Sequence, residues 1–242
     1  MRLSIMFLGF LAALLPAIEP ARAVDSARCA APREIVEDEP RLAALARQFK
    51  AARPVTIVAI GGASTAGIAP DISYPYFLEA ALRRHHPNLP ITVINRGVAG
   101  QTAAQMAARF AKDVFPAAPS LVIWETGTVD AVRGEDTNVF ADALSDGIAA
   151  VRQHKAEAML VDMQYSPSTV SVINFEPYLE ALHQTAALED IYMFQRFALM
   201  KYWEEAGAFD FNVPRDKRAA VAREVYECLG ERLADAIDYA AR

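Results

Sequence analysis

The chain has 242 residues, 53% hydrophobic and 22% charged, with 11 Gly, 14 Pro and 2 Cys. This is a globular composition that excludes a disordered chain, a collagen-like repeat and a disulfide-dense mini-scaffold. Its 24 basic and 30 acidic side chains leave a net charge of -6, so no uniform positive field draws phosphate backbones or anionic lipid, and nucleic acid is not an expected partner.

Met1 and Arg2 precede an apolar run from Leu3 to Leu15, followed by Pro16 and the triplet Ala21, Arg22, Ala23. That order is the order of a secretory signal with an A-x-A cleavage site, which predicts cleavage after Ala23 and a periplasmic or secreted protein. An uncleaved anchor is the alternative, against which stands a run short of the ~20 residues a spanning helix needs. No later stretch is long and apolar enough to span, so no stable transmembrane segment is expected after cleavage. Loss of Arg2, Glu19 and Arg22 leaves 22 basic and 29 acidic groups, a net of -7. The expected organisation is a signal peptide over 1–23, a leader and first helix over 24–53, and one domain over 54–242. Cys29 and Cys228 lie near the two ends of the mature chain, and an oxidising compartment would join them. Two buried free thiols are the alternative; neither has a neighbour at metal-ligand spacing, so zinc is not expected.

After the leader, Arg41 to Ala52 has helical spacing. Short apolar blocks then follow at Val55 to Ile60, Ile91 to Asn95, Leu121 to Glu125, Ala158 to Asp162 and Ile191 to Phe194. They read as buried parallel strands. Helical stretches lie between them at Tyr76 to His86, Thr102 to Val114, Val139 to Lys155 and Pro177 to Leu188, with a last helix from Arg218 to Ala240. Strict alternation predicts a single three-layer, doubly wound α/β domain with a parallel, flavodoxin-like sheet, its ligand crevice beyond the carboxyl ends of the strands. The stretch FQRFALMKYW, Phe194 to Trp203, reads as a core helix or as a rim for substrate or partner.

Four loops therefore carry the chemistry: Gly61 to Ser73, Arg96 to Gln101, Thr126 to Thr137 and Met163 to Asn174. The first contains Gly-Gly-Ala-Ser-Thr-Ala-Gly, a turn in which backbone N–H groups and short hydroxyls can converge on an anion or carbonyl oxygen. A tight strand-to-helix turn is the plainer reading. Neither G-x-G-x-x-G nor Walker spacing is present, so no nucleotide or other cofactor is expected. Thr65, Gln101, Glu125, Thr128, Asp130 and Gln164 supply further polar groups to a pocket. Glu125 and Asp130 also raise a carboxylate pair for glycoside hydrolysis, at a separation the sequence leaves open. His85 and His86 read as helix C-terminal caps, as does His154 beside Lys155, and His183 as a partly buried mid-helix residue.

Three segments, IVAIGGASTAG (Ile57 to Gly67), NRGVAGQT (Asn95 to Thr102) and LVIWETGTVDA (Leu121 to Ala131), together resemble the SGNH/GDSL hydrolases, esterases and lipases on a flavodoxin-like sheet. In that family the first block reads G-D-S-x-T-x-G with Ser as nucleophile, which falls on Ala63; Ser64 stands one place later. The family's oxyanion-hole N–H maps to Gly100, which is kept. Its oxyanion Asn maps to Val129, whose side chain donates nothing. The D-x-x-H before the last helix is represented by Asp210 with Val213, or by Asp216 near Ala220, and neither count finds a His.

The resemblance thus implies a degenerate member lacking the catalytic Ser, Asn and His. Serine without a base is a weak nucleophile, and losing a triad member removes several orders of magnitude in rate. A binding or accessory protein of the cell envelope follows, recognising an acylated or acetylated glycan or lipid, with an envelope protein as a further possible partner. The alternative is an active carboxylic-ester hydrolase rearranged around Ser64, Gly100 and Asp130.

Overall fold

The structure, a computed structural model, describes residues 27–37 and 42–242; the predicted signal peptide lies outside them. The five apolar blocks form strands β1 (Val55–Gly61), β2 (Ile91–Gly97), β3 (Leu121–Glu125), β4 (Glu157–Val161) and β5 (Tyr192–Phe194). Every pairing is parallel, and the order is β2-β1-β3-β4-β5. The helices are α1 (Arg33–Val36), α2 (Ala43–Lys50), α3 (Ala63–Ala66), α4 (Tyr74–His85), α5 (Ala103–Ala107), α6 (Thr128–Arg133), α7 (Thr137–Gln153), α8 (Pro167–Val170), α9 (Glu176–Leu188), α10 (Arg196–Glu205) and α11 (Arg218–Ala240).

Alternate side chains of each strand enter opposite layers. Val55, Ile57 and Ala59 pack with Leu78 and Leu82 of α4, Trp203 of α10 and Leu229, Leu233 and Ile237 of α11. Val58 and Ile60 pack on the other face with Phe140, Leu144 and Ile148 of α7 and Leu182 of α9. Both faces of the central strands are covered, which is why β1, β3 and β4 are nearly continuous apolar runs, whereas edge strand β2 leaves Thr92 and Arg96 exposed. From β1 the chain winds first to β2 and then back past β1 to β3, so the switch point lies between the carboxyl ends of β1 and β3.

Cys29 and Cys228 form a disulfide, Cα atoms 5.1 Å apart, across 199 residues of chain. It fastens the leader to the middle of α11. The chain-entropy model assigns such a loop an upper bound of about 5 kcal/mol.

The expected helix over Thr102 to Val114 is broken. After α5 the chain passes through a π-helical turn, Phe110–Val114, and a 3-10 turn, Phe115–Ala117. Pro116 has no N–H to continue an α-helix, and Arg109 is held by both the Asp113 carboxylate and the Arg96 carbonyl, which favours the wider turn. Two expected loops contain short helices, α6 and α8. His183 is exposed rather than partly buried, its imidazole Nε2 lying 3.7 Å from Asp162. His85 and His86 do lie at the C-terminal end of α4, where both bind Asp238 of α11 rather than their own helix.

Candidate functional site

The first loop is short because α3 begins immediately after β1. A Cβ on Gly61 would stand 2.1 Å from Thr65 Oγ1 and 2.7 Å from Glu125 Oε2, and one on Gly97 would stand 2.1 Å from the Ala66 nitrogen. Only glycine lets α3 settle between the ends of β1, β2 and β3. Asn95 then locks it, donating from Nδ2 to the Thr65 carbonyl at 2.6 Å. The second and third blocks are joined by Asp130, whose carboxylate accepts from the Ala103 N–H at 3.0 Å and so caps α5 together with the Thr102–Gln105 capping box.

A small crevice of about 70 Å³ opens at the switch point, bringing together Ala63, Ser64, Gly100, Gln101, Glu125, Thr128, Val129 and Gln164. Thr65 and Asp130, expected to line the pocket, are buried behind it, fully occupied by hydrogen bonds of the loops. Burial pushes the Asp130 carboxyl above its ordinary range, against the opposing bond from Ala103. Gln101 Oε1 and Thr126 Oγ1 are buried at the crevice with no hydrogen-bond partner among the described residues.

Ala63 is exposed to the crevice, whereas Ser64 is only 8% exposed. Its Oγ accepts a hydrogen bond from Arg196 Nη1 at 2.7 Å, and Arg196 Nη2 reaches Glu125 Oε1 at 3.0 Å. Glu125 Oε2 accepts from the Gly62 N–H at 2.8 Å and from Thr65 Oγ1 at 3.0 Å. Thr65 Oγ1 in turn lies 3.1 Å from the Tyr74 hydroxyl, which burial and the charge of Glu125 push far above its ordinary pKa. The result is a buried ion pair wired to a serine. Arginine carries five donors and no acceptor, and does not give up its proton in proteins, so it cannot serve Ser64 as general base.

No histidine replaces it. His85 and His86 clasp Asp238, His154 stacks on Phe115, and His183 lies beside Asp162; none lines the crevice. Burial raises the Asp162 carboxyl above its usual range, while His183 and the Phe197 N–H pull it back. Val213, three residues after Asp210, lines a second cavity that shares Ser64 and Gln164 with the crevice. Ala220 lies exposed on α11. Of the two positions reached by the sequence counts, Val213 is therefore the one that lines a cavity beside Ser64. Glu125 and Asp130 are committed to Arg196 and to α5, which removes them as a glycosidase pair. Among the described residues no group of three or more His, Cys, Asp or Glu side chains converges to hold a metal.

Arg196 is the residue that sequence reasoning missed. The one available signal was a single arginine at the start of an otherwise apolar helical stretch; its pairing with Glu125, 71 positions away, has no local trace.

A five-stranded parallel sheet in this order, with glycine-bounded loops meeting at the β1–β3 switch point, defines the SGNH/GDSL class of esterase- and lipase-like folds. The chain belongs to the Non-GDSL lipase-like family, whose model matches residues 28–242. An arylesterase from Vibrio mimicus is 28% identical over 114 residues, 46% of this chain and 56% of that protein, so the match spans little more than half of the relative's length. The fold also matches an acetylxylan esterase from Geobacillus stearothermophilus, with a TM-score of 0.62 at 17% identity, covering 76% of this chain and 94% of that one. Two variants of that enzyme described as catalytic mutants replace a serine and a histidine. A protein of the G-D-S-L family from Desulfitobacterium hafniense DCB-2 matches with a TM-score of 0.58 at 20% identity, covering 75% of this chain and 99% of that one.

Proposed function

We propose that the chain is an exported binding or accessory protein of the cell envelope, descended from an ester hydrolase, that recognises an acylated or acetylated glycan or lipid without cleaving it. One observation carries the reading. The position facing the crevice is Ala63, while the neighbouring Ser64 is turned inward onto an arginine that can only donate to it. Val129 and Val213 remove the second oxyanion donor and the base, losses worth about 10²- to 10³-fold and several orders of magnitude respectively. A hydrogen-bonding ligand is supported by Gln101 Oε1 and Thr126 Oγ1, which have no partner among the described residues. The likeness to an acetylxylan esterase supports an acetylated glycan as that ligand. Export is supported by the disulfide, and among the described residues no helix is long and apolar enough to cross a membrane.

The test is hydrolysis of a short-chain aryl ester by the purified protein, beside Ser64→Ala and labelling with an activated-serine probe. The expected outcome is neither turnover nor labelling from a folded protein. Turnover and labelling that disappear in Ser64→Ala would replace this reading with a hydrolase rearranged around Ser64. Intact mass of the exported protein is expected to place its first residue at Val24.

A further inference from the structure

The second cavity, about 220 Å³, lies between α10, α11 and the loop before α11, and adjoins the crevice through Ser64 and Gln164. Its walls are mostly apolar, built from Met200, Phe211, Val213, Val221, Val225 and Leu229. Polar atoms are confined to a few places, which is the usual construction of a small-molecule site.

Those polar atoms are mainly donors. Arg196 lines the cavity at 1% exposure, and its Nε–H is buried with no acceptor among the described residues. The Ser64 hydroxyl accepts from Arg196, which leaves its own proton to donate. The Tyr226 hydroxyl lies in the field of Arg196 and Glu125, makes no hydrogen bond with the described residues, and is held protonated by burial, which raises its pKa. The charged groups lining the cavity are Arg196 and Arg218; among the described residues no acidic side chain lines it. Glu125, behind the wall, matches Arg196 alone. The excess positive charge at the cavity is therefore that of Arg218, which is exposed, while the buried Arg196 contributes its unpartnered Nε–H as a donor.

We infer that this cavity binds an aliphatic monocarboxylate, its carboxylate oxygens accepting from Arg196, Tyr226 and Ser64 and its chain lying against α11. The inference rests on the reading of the chain as a binder and names a ligand class for it. It also distinguishes the cavity from the crevice, because an ionised carboxylate, which only accepts hydrogen bonds, matches these donors and the nearby charge of Arg218, whereas an uncharged ester gains nothing from that charge.

The test is calorimetric titration of the whole protein, in the form the cell processes it to, with octanoate, methyl octanoate and octanol. Octanoate is expected to bind once per chain, and methyl octanoate and octanol at least about tenfold more weakly, the effect of losing a charge-assisted hydrogen bond. Ala222→Trp, at the partly exposed lip of the cavity, is expected to abolish octanoate binding while circular dichroism stays native. Tyr226→Phe keeps the shape and is expected to weaken binding about five- to tenfold. Methyl octanoate binding as tightly as octanoate would overturn the carboxylate assignment. Octanoate binding indifferent to both variants would overturn the cavity as its site and leave the binding reading standing. Absence of octanoate binding would overturn the inference. Aryl-ester turnover by the parent protein that is lost in Ser64→Ala, while the parent protein still binds octanoate, would instead sink the non-catalytic reading and leave the cavity assignment in place.

Discussion

The two sides of the four-residue helix α3 face different surroundings. Toward the crevice it presents Ala63, which lines it together with Gly100 and Val129. Toward the interior it presents Ser64 and Thr65, both tied into the Arg196–Glu125 pair. Backbone arrangement there is held by packing and by the glycines at 61 and 97. On the inner side the two hydroxyls serve a buried ion pair, whose stability depends on its hydrogen-bond partners.

That contrast can be broken most sharply by restoring chemistry to the crevice side. Ala63→Ser combined with Val129→Asn and Val213→His would return nucleophile, oxyanion donor and base to a preserved backbone, and aryl-ester hydrolysis is expected to rise about a thousandfold over the parent protein. Ala63→Ser alone is expected to give none of this increase, since no base faces the crevice.

The inner side is expected to respond in stability instead. Arg196→Met leaves Glu125 buried without its partner and should lower unfolding free energy in urea by about 3–5 kcal/mol. Pairing it with Glu125→Gln should recover part of that loss, because the desolvated charge is then gone from both sides. Gln101→Ala or Thr128→Ala should change stability little, since neither side chain is tied into the inner ion pair.

Between these lies the disulfide. Cys228→Ser is expected to reduce stability by about 2–5 kcal/mol, and to loosen the α11 wall of the apolar cavity while leaving the β1–β3 crevice unchanged; hydrogen exchange of α11 against β1 measures the difference.

The smallest effect is one of pH. Burial lifts the Asp162 carboxyl in the folded chain, so on raising the pH the unfolded chain loses this proton first. Its favourable contribution is complete below about pH 4, the ordinary carboxylate range, and is lost as the pH climbs through the raised value. Asp162→Asn should therefore flatten the decline in stability above about pH 4, read from urea midpoints at two pH values. Asp162 is faced by His183, Arg196 and the Phe197 N–H, so the substitution also asks how far the inner ion pair reaches along the sheet.

Much of this was legible beforehand. All five strands lie within about two residues of where the apolar blocks put them, because the central strands, covered on both faces, are apolar at nearly every position. The placement of Ala63 and Val129 at the crevice followed from motif spacing, since each block joins a strand end directly. What local pattern did not show was the break after Ala107, where the chain passes into a π-helical turn, and the short helix α6, six residues being too few to display a period. Thr65 and Asp130 were placed in the pocket by composition alone; their side chains turn to loop backbone and to Glu125 instead.

By itself, then, the amino-acid order determined the sheet, the disulfide partners and which residue types stand at positions 63, 129 and 213, because each is a property of residue type at a position or of periodicity along a segment. The tertiary structure alone decided which way Ser64 faces, that Arg196 meets Glu125, and that Val213 rather than Ala220 lines a cavity beside Ser64. Those depend on the rotation of α3 about its axis and on the approach of helices far apart in sequence, and no local interaction encodes either.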